Sequence, residues 1–358
     1  MGASVDAAIG RVRRSGVLVL GPEVEAFEHE FAAYCSARAA IGVGSGLDAL
    51  QLVLRADSIG PGDEVVVPAY TAVATWMAVS LVGATPVGAD ADADTFNVSP
   101  AAVERSVGPR TRAIIGVDLF GQPAEWDALS AVAERASVHL YADAAQAHGA
   151  RLRGRPVGSL ARATTFSFYP TKNLAALGDG GAVTTDDAAL ADRLRLLRTY
   201  GWRRRGESEV KGLNSRLDEL QAAVLRVRLR RLDAWNARRR AIADRYRDAL
   251  GDAAGGLWVP TPSLGAEHVW HQFVVTHRRR DELRRGIAER GVDSLVHYDP
   301  LPHLTQAYRA DGWADGQLPV AEGLASRALS LPMDSHLDDA EVDAVIDAVA
   351  GAARELSP

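Results

Sequence analysis

Cysteine is almost missing from this chain: Cys35 is the only one among 358 residues. A single thiol excludes an intrachain disulfide framework and a cysteine-rich metal site, and it sets a cytoplasmic location as the expectation. Long apolar runs are missing too. Near the N-terminus only Val17-Leu18-Val19-Leu20 is continuously apolar, too short for the core of a signal peptide or for a membrane span. Position six holds Asp6 where a myristoylation signal needs Ser or Thr. Positive charge is not in excess: the formal net charge is −6, which argues against a nucleic-acid partner. The arginine runs at 203–205 and 238–240 read as solvated faces interleaved with helical core positions, with a phosphate contact by one or two of them left open. There is no internal repeat and no low-complexity tract. What is present is ordinary for a soluble globular protein: 47% hydrophobic and 24% charged residues, in a chain long enough for two domains.

Hydrophobic spacing alternates between helical and strand-like. Residues 22–56 read as helical: Val24, Phe27, Phe31 and Tyr34 recur at helical spacing, and 48–55 form a second helix. Strand-like runs follow at 65–68, 85–88, 113–117 and 138–143, with helices expected at 72–82 and 126–135. This alternation predicts an α/β fold, a mostly parallel sheet with helices on both faces. Such sheets gather ligands at the carboxyl ends of their strands. From 215 to 250 the pattern predicts one long helix, with Leu225, Leu229 and Leu232 on its apolar stripe. The Gly- and Pro-rich stretch 251–262 marks a domain boundary. It divides a large domain, 1–250, from a small C-terminal α+β domain, 251–358. The small domain is expected to hold strands at 272–276 and 294–297 and helices at 281–290 and 338–356.

Lys172 is the most informative residue. It follows the aromatic, β-prone run Phe166-Ser167-Phe168-Tyr169 and precedes the turn Gly178-Asp179-Gly180-Gly181. An amine held at a strand end inside a pocket has a depressed pKa and can form a Schiff base. Asp143 closes the apolar run 138–143, a costly place for a carboxylate without a cation beside it. A protonated pyridine nitrogen would be such a cation. Gln146 is placed to donate to a phenolic oxygen. His148 reads as a hydrogen-bonded structural imidazole in preference to a catalytic one. In Gly42-Val43-Gly44-Ser45-Gly46-Leu47 small residues precede a helix. The run is either a plain helix entry or an anion site where free amides and the helix dipole meet. Asn214 or Ser215 could cap the long helix, although a cap alone does not explain the run Asn214-Ser215-Arg216. The loop His297-Tyr298-Asp299-Pro300-Leu301-Pro302-His303 is stiff and polar. With no third metal ligand in pattern, it reads as a substrate loop, and no metal is expected.

Five segments together carry a family resemblance. They are Gly-Asp-Glu-Val (62–65), Asp-Ala-Ala-Gln-Ala-His-Gly-Ala (143–150), Phe-Ser-Phe-Tyr-Pro-Thr-Lys-Asn-Leu (166–174), Gly-Asp-Gly-Gly-Ala-Val (178–183) and Asn-Ser-Arg-Leu-Asp-Glu-Leu-Gln-Ala-Ala (214–223). In order and spacing the chain resembles the sugar aminotransferases of the DegT/DnrJ/EryC1/StrS group, from about residue 21 to 336. That group uses pyridoxal phosphate on the aspartate aminotransferase fold, pyridoxal-phosphate fold type I. The resemblance implies that Lys172 holds the cofactor as a Schiff base, and that Asp143 pairs with the pyridinium nitrogen. It implies that Gln146 contacts the ring hydroxyl and that Ala145 packs beneath the ring. Ser45, Gly46, the Leu47 backbone and Ser167 would bind the phosphate. Asn214 would reach the phosphate across a homodimer whose sites are shared between subunits.

The same resemblance implies a reaction: transfer of an amino group from glutamate to a nucleotide-linked, dTDP-type, keto-6-deoxy sugar for amino-sugar biosynthesis. Residues 74–76, 269–274 and the 297–303 loop look like the branch that aminates C3. Trp76, Arg216, His297, Tyr298 and His303 are the implied substrate contacts. Amination of a 4-keto sugar or a keto-cyclitol is the alternative, and a non-catalytic regulator on the same fold a remote one. A dehydratase branch places His where this chain has Lys172. The chain departs from the family pattern at Leu47 (often Thr), Ala72 (often a stacking aromatic), Ala142 (often Glu), Asp118 (often His) and near Arg205-Gly206 (often Tyr).

Overall fold

A computed structural model describes residues 2–251 and 256–356. A seven-stranded mixed sheet runs through the larger part. In spatial order its strands are Ala39–Val43, Gly181–Thr185, Ala163–Ser167, His139–Asp143, Thr111–Val117, Glu64–Pro68 and Thr85–Ala89. All are parallel in direction except Gly181–Thr185, which is antiparallel to both neighbours. The central runs Val65-Val66-Val67 and Ile114-Ile115 are buried on both faces, as unbroken β-branched runs require when helices cover each side. One face packs on Leu50, Val53, Trp76, Val79, Leu190 and Leu194. The other packs on Phe27, Phe31, Phe168 and Leu225 toward one end, and on Val103, Trp126 and Leu129 toward the other.

Register lines the strand ends along one edge. Val43 and Ser167 both pair with Gly181, and Val117 pairs with Asp143. Phe27, Phe31, Phe166 and Phe168 lock the strand Ala163–Ser167 to the helix Pro22–Tyr34, with ring centroids 5.0–5.4 Å apart. The start of that helix is tied down from a distance. Buried Glu219 accepts the amides of Gly21 at 2.9 Å, Glu23 at 3.0 Å and Val24 at 2.8 Å, donors that a helix cannot satisfy itself.

Beyond residue 256, Phe273–Thr276 pairs antiparallel with Ala328–Leu331. The helices Arg280–Ala288 and Asp339–Glu355 cover this pair. Asp338 and Glu341 close a capping box at the start of the last helix. The core here also takes Ile242, Ala243, Tyr246 and Leu250 from the helix Leu232–Leu250. Residues 252–255 of the expected break lie outside the described residues.

Several sequence expectations are corrected. Within 22–56 the helices Pro22–Tyr34 and Gly46–Ala56 flank a strand, Ala39–Val43. Its residues are nearly all buried, so no polar alternation marks it. The expected helix over 215–250 is two helices, Glu219–Leu229 and Leu232–Leu250. Leu229 and Leu232 are both buried and three apart, so helical spacing runs unbroken across the turn. Neither Asn214 nor Ser215 caps it; Asp218 holds the N-cap position. Residues 294–297 form no strand, only an isolated bridge from Leu295 to Ser330. The helix Gly2–Ser15 and the strand Gly181–Thr185 are additions to the expected elements.

Glu219→Ala should lower stability by on the order of 2–3 kcal/mol, because one buried and two part-buried amides lose a charged acceptor. Urea unfolding measures it; a loss below about 1 kcal/mol would mean the amides find other partners.

Candidate functional site

The strand edge gathers many, though not all, of the residues singled out from sequence. Ser45 caps the helix Gly46–Ala56, its hydroxyl accepting from the amide of Asp48 at 3.1 Å. The amides of Gly46 and Leu47 precede the first intrahelical partner and stay available. Ser167 accepts from the amide of Tyr169 at 3.3 Å. Both hydroxyls therefore accept a backbone amide and keep their own proton free to donate. The seam leaves no room for side chains. A Cβ on Gly46 would lie 2.7 Å from Ser167 Cβ, and one on Gly181 would lie 2.4 Å from the carbonyl oxygen of Ser45. Two free amides, two hydroxyl donors and a helix N-terminus in one cradle suit a phosphate.

Asp143 ends the strand His139–Asp143 and is buried. Its Oδ2 accepts from Thr75 Oγ1 at 2.9 Å, and its Oδ1 from the amide of Ala145 at 3.1 Å. Thr75 in turn meets Thr71, hydroxyl to hydroxyl, at 2.9 Å. Burial pushes the Asp143 carboxyl above its usual range, while Thr75, the Ala145 amide and the charge of Lys172 pull it back. Lys172 is half-buried. Burial lowers its amine to about 8, partly offset by Asp143. The loop that presents it is fixed through Asn173. That side chain donates to Asn236 at 3.0 Å and to the Val269 carbonyl at 2.9 Å, and contacts His271 Nδ1 at 3.1 Å. His148 lies buried beside Phe166 and Phe168, and burial together with the charge of Lys172 depresses it to about 3. It is a neutral ring in the core.

Gln146 is buried, with Oε1 accepting from the amide of Phe120 at 2.6 Å. Its Nε2 donates to the phenolic oxygen of Tyr298 at 2.7 Å, so the 297–303 loop reaches the same edge. His297 is half-buried and its Nδ1 meets Ser330 Oγ at 2.9 Å. Ala145 is partly exposed beside Asp143. Arg216 lies over the ring of Tyr200, 5.7 Å from its centroid.

Three assigned residues stand apart. Trp76 and His303 are completely buried and stack on each other at 6.2 Å. Trp76 donates its indole N–H to the Pro68 carbonyl at 2.8 Å, and His303 Nε2 faces Glu322 at 3.3 Å. In this fold both are core side chains, closed to a substrate. Asn214 is exposed. Its neighbour Ser215 instead joins the cradle loop, accepting from the amide of Gly44 at 3.0 Å and donating to Asp48 at 2.6 Å. Sequence reading missed the support given by Thr75, Asn173 and Ser215. Asp143 needed a donor, but nothing local pointed to Thr75. Among the described residues no His, Cys, Asp or Glu cluster could hold a metal ion, and no helix is long and apolar enough to cross a membrane.

In the cofactor-free protein, reductive methylation of Lys172 should rise as pH passes about 8, since the amine is neutral and nucleophilic above that value. Mass spectrometry follows the reaction. A midpoint at the ordinary lysine value of 10.5 would show that burial does not act on this amine.

Comparison with known proteins fits this geometry. Residues 1–350 match the DegT/DnrJ/EryC1/StrS aminotransferase family. The chain is 52% identical to the dTDP-3-amino-3,4,6-trideoxy-alpha-D-glucose transaminase of Streptomyces venezuelae, covering 97% of this chain and 91% of that protein. The crystal structure of S. venezuelae DesV in complex with ketimine intermediate superposes with a TM-score of 0.96 at 51% identity, over 98% of this chain and 94% of that one. The PLP-form of a putative sugar aminotransferase, Spr1654 from Streptococcus pneumoniae, gives 0.94 at 26% identity, over 100% of this chain and 98% of that one. Fold, cradle and sequence agree: the chain belongs to the DegT/DnrJ/EryC1/StrS aminotransferase family and is a pyridoxal-phosphate-dependent aminotransferase.

Proposed function

We propose that this enzyme moves an amino group from glutamate to C3 of a dTDP-linked keto-6-deoxy sugar, working as a homodimer. One observation carries the choice of acceptor. The relative that shares 52% of its residues over nearly the whole chain is named for a dTDP sugar bearing its amine at position 3.

The residues present fit the cofactor. The phosphate belongs in the cradle of Ser45, Gly46, the Leu47 amide and Ser167, where added side chains would clash. Asp143 would stand at the ring nitrogen, Ala145 beneath the ring, Gln146 at the ring hydroxyl and Lys172 at the reactive carbon. Bound there, pyridoxal phosphate supplies the electron sink for amino-group exchange. The protein's part is position and charge. Asp143, held by Thr75 and the Ala145 amide, keeps a negative charge where a protonated nitrogen needs one. Lys172 Nζ, poised near neutrality, takes the proton from the substrate carbon and later returns it. Arg216, His297 and Tyr298 remain the substrate-side candidates. Asn214, exposed on its own subunit, would complete the phosphate site of the partner. The same reading keeps 1–250 as the cofactor-binding domain and 251–358 as the small one.

Three measurements test this. Glutamate should bleach the cofactor band of the purified enzyme, and Lys172→Ala should lose the borohydride-sensitive form of that band. Among 3-keto and 4-keto nucleotide sugars, the 3-keto compounds should yield amine at least about tenfold faster; faster amination of the 4-keto series would reverse the regiochemistry. Mixing inactive Lys172→Ala and Asn214→Ala subunits should recover part of the activity, because one site in each mixed dimer is intact. No recovery would rule out sites shared in this way.

A further inference from the structure

Asp118 is completely buried one residue beyond the strand Thr111–Val117. Val117 pairs in register with Asp143, and the Asp118 amide donates to the Asp143 carbonyl at 3.0 Å. The two carboxyl residues are therefore neighbours across adjacent strand ends. Their surroundings differ. Asp143 has a donor on each oxygen and the charge of Lys172 nearby. Asp118 concentrates both donors on Oδ1, the amide of Ala124 and the indole N–H of Trp126, each at 2.8 Å. Its Oδ2 is buried with no partner among the described residues. A negative charge on that oxygen would have no donor, no cation and an anion beside it.

We propose that Asp118 is a positioning residue of the aminotransferase site, a neutral acid behind Asp143 that leaves the single charge of the carboxyl pair on Asp143. This takes the assignment of Asp143 to the cofactor ring as given. The proton sits on Oδ2, because Oδ1 is occupied as an acceptor. Through Oδ1 the acid also ties Ala124 and Trp126 back to residue 118, closing the segment that contains the turn Leu119–Gly121; Phe120 of that turn holds a left-handed conformation (φ 59°) and gives its amide to Gln146. Burial raises the Asp118 carboxyl to about 7, and Asp143 is the titratable group that faces it; the Ala124 amide and Trp126 indole do not titrate. Near neutral pH a second negative charge would then appear behind Asp143.

Infrared difference spectra of cofactor-free wild type minus Asp118→Asn test this directly. The expected result is a protonated-carboxyl band that fades as pH rises through about 7. Asp143→Asn removes the facing like charge.

 Removing a like charge eases ionisation, so the band in Asp143→Asn must fade at lower pH than in wild type. Absence of the band in wild type at about pH 5, its survival in Asp118→Asn, or an unmoved midpoint in Asp143→Asn would each overturn the proposal. Pyridoxal phosphate titrations test the positioning half. Asp118→Leu should weaken binding at least about tenfold, and Asp118→Asn, which keeps an acceptor for Ala124 and Trp126, should recover most of that loss. Equal losses in the two variants would mean the side chain merely fills space. None of these signals depends on the amino donor or the sugar, so their failure would leave the substrate proposal standing.

Discussion

Asp143 ends a middle strand of the sheet with a carboxyl group sheltered from water, and such a group costs free energy unless donors or cations surround it. Much of the nearby structure answers that need. The helix Val73–Leu81 brings Thr75 to one oxygen, and the turn after the strand brings the Ala145 amide to the other. Lys172 supplies positive charge from the next strand connection. Its own loop is secured through Asn173 to the helix Leu232–Leu250 and to residue 269. The electrostatic centre and the packing of distant elements are one problem with one solution.

How much of this could be read from sequence depended on whether the partners were local. Lys172 and Asp143 stood out because residue type and immediate context conflicted: an amine after an aromatic run, a carboxylate ending an apolar one. The cradle around Ser45 showed because small residues before a helix are contiguous. Thr75 did not show, since its partner lies 68 residues away. Ser215 meets Asp48 across 167 residues, and its local context suggested only a helix cap. The α/β layering followed from the alternation of patterns. The strand Ala39–Val43 was hidden because burial on both faces erases the period of two. The turn between Leu229 and Leu232 was hidden because its two leucines keep a helical interval.

The expected substrate contacts show where a residue's chemistry misleads. Trp76 and His303 have the right types for recognition, yet they fill a closed aromatic cluster with Tyr308 and Trp313. Tyr298, from the same loop as His303, does reach the strand edge through Gln146. A loop thus divides between anchoring and presentation, and residue identity alone does not tell the two apart.

The seam between Gly181 and Ser45 is backbone against backbone. Side chains can rotate away from a crowded neighbour; a carbonyl in a strand-to-helix junction cannot. The cradle is therefore a fixed datum rather than an adjustable pocket, and every other distance at the sheet edge is measured from it. New substrate preferences in this scaffold would have to come from the loops that converge on the edge, while Gly181 stays closed to change.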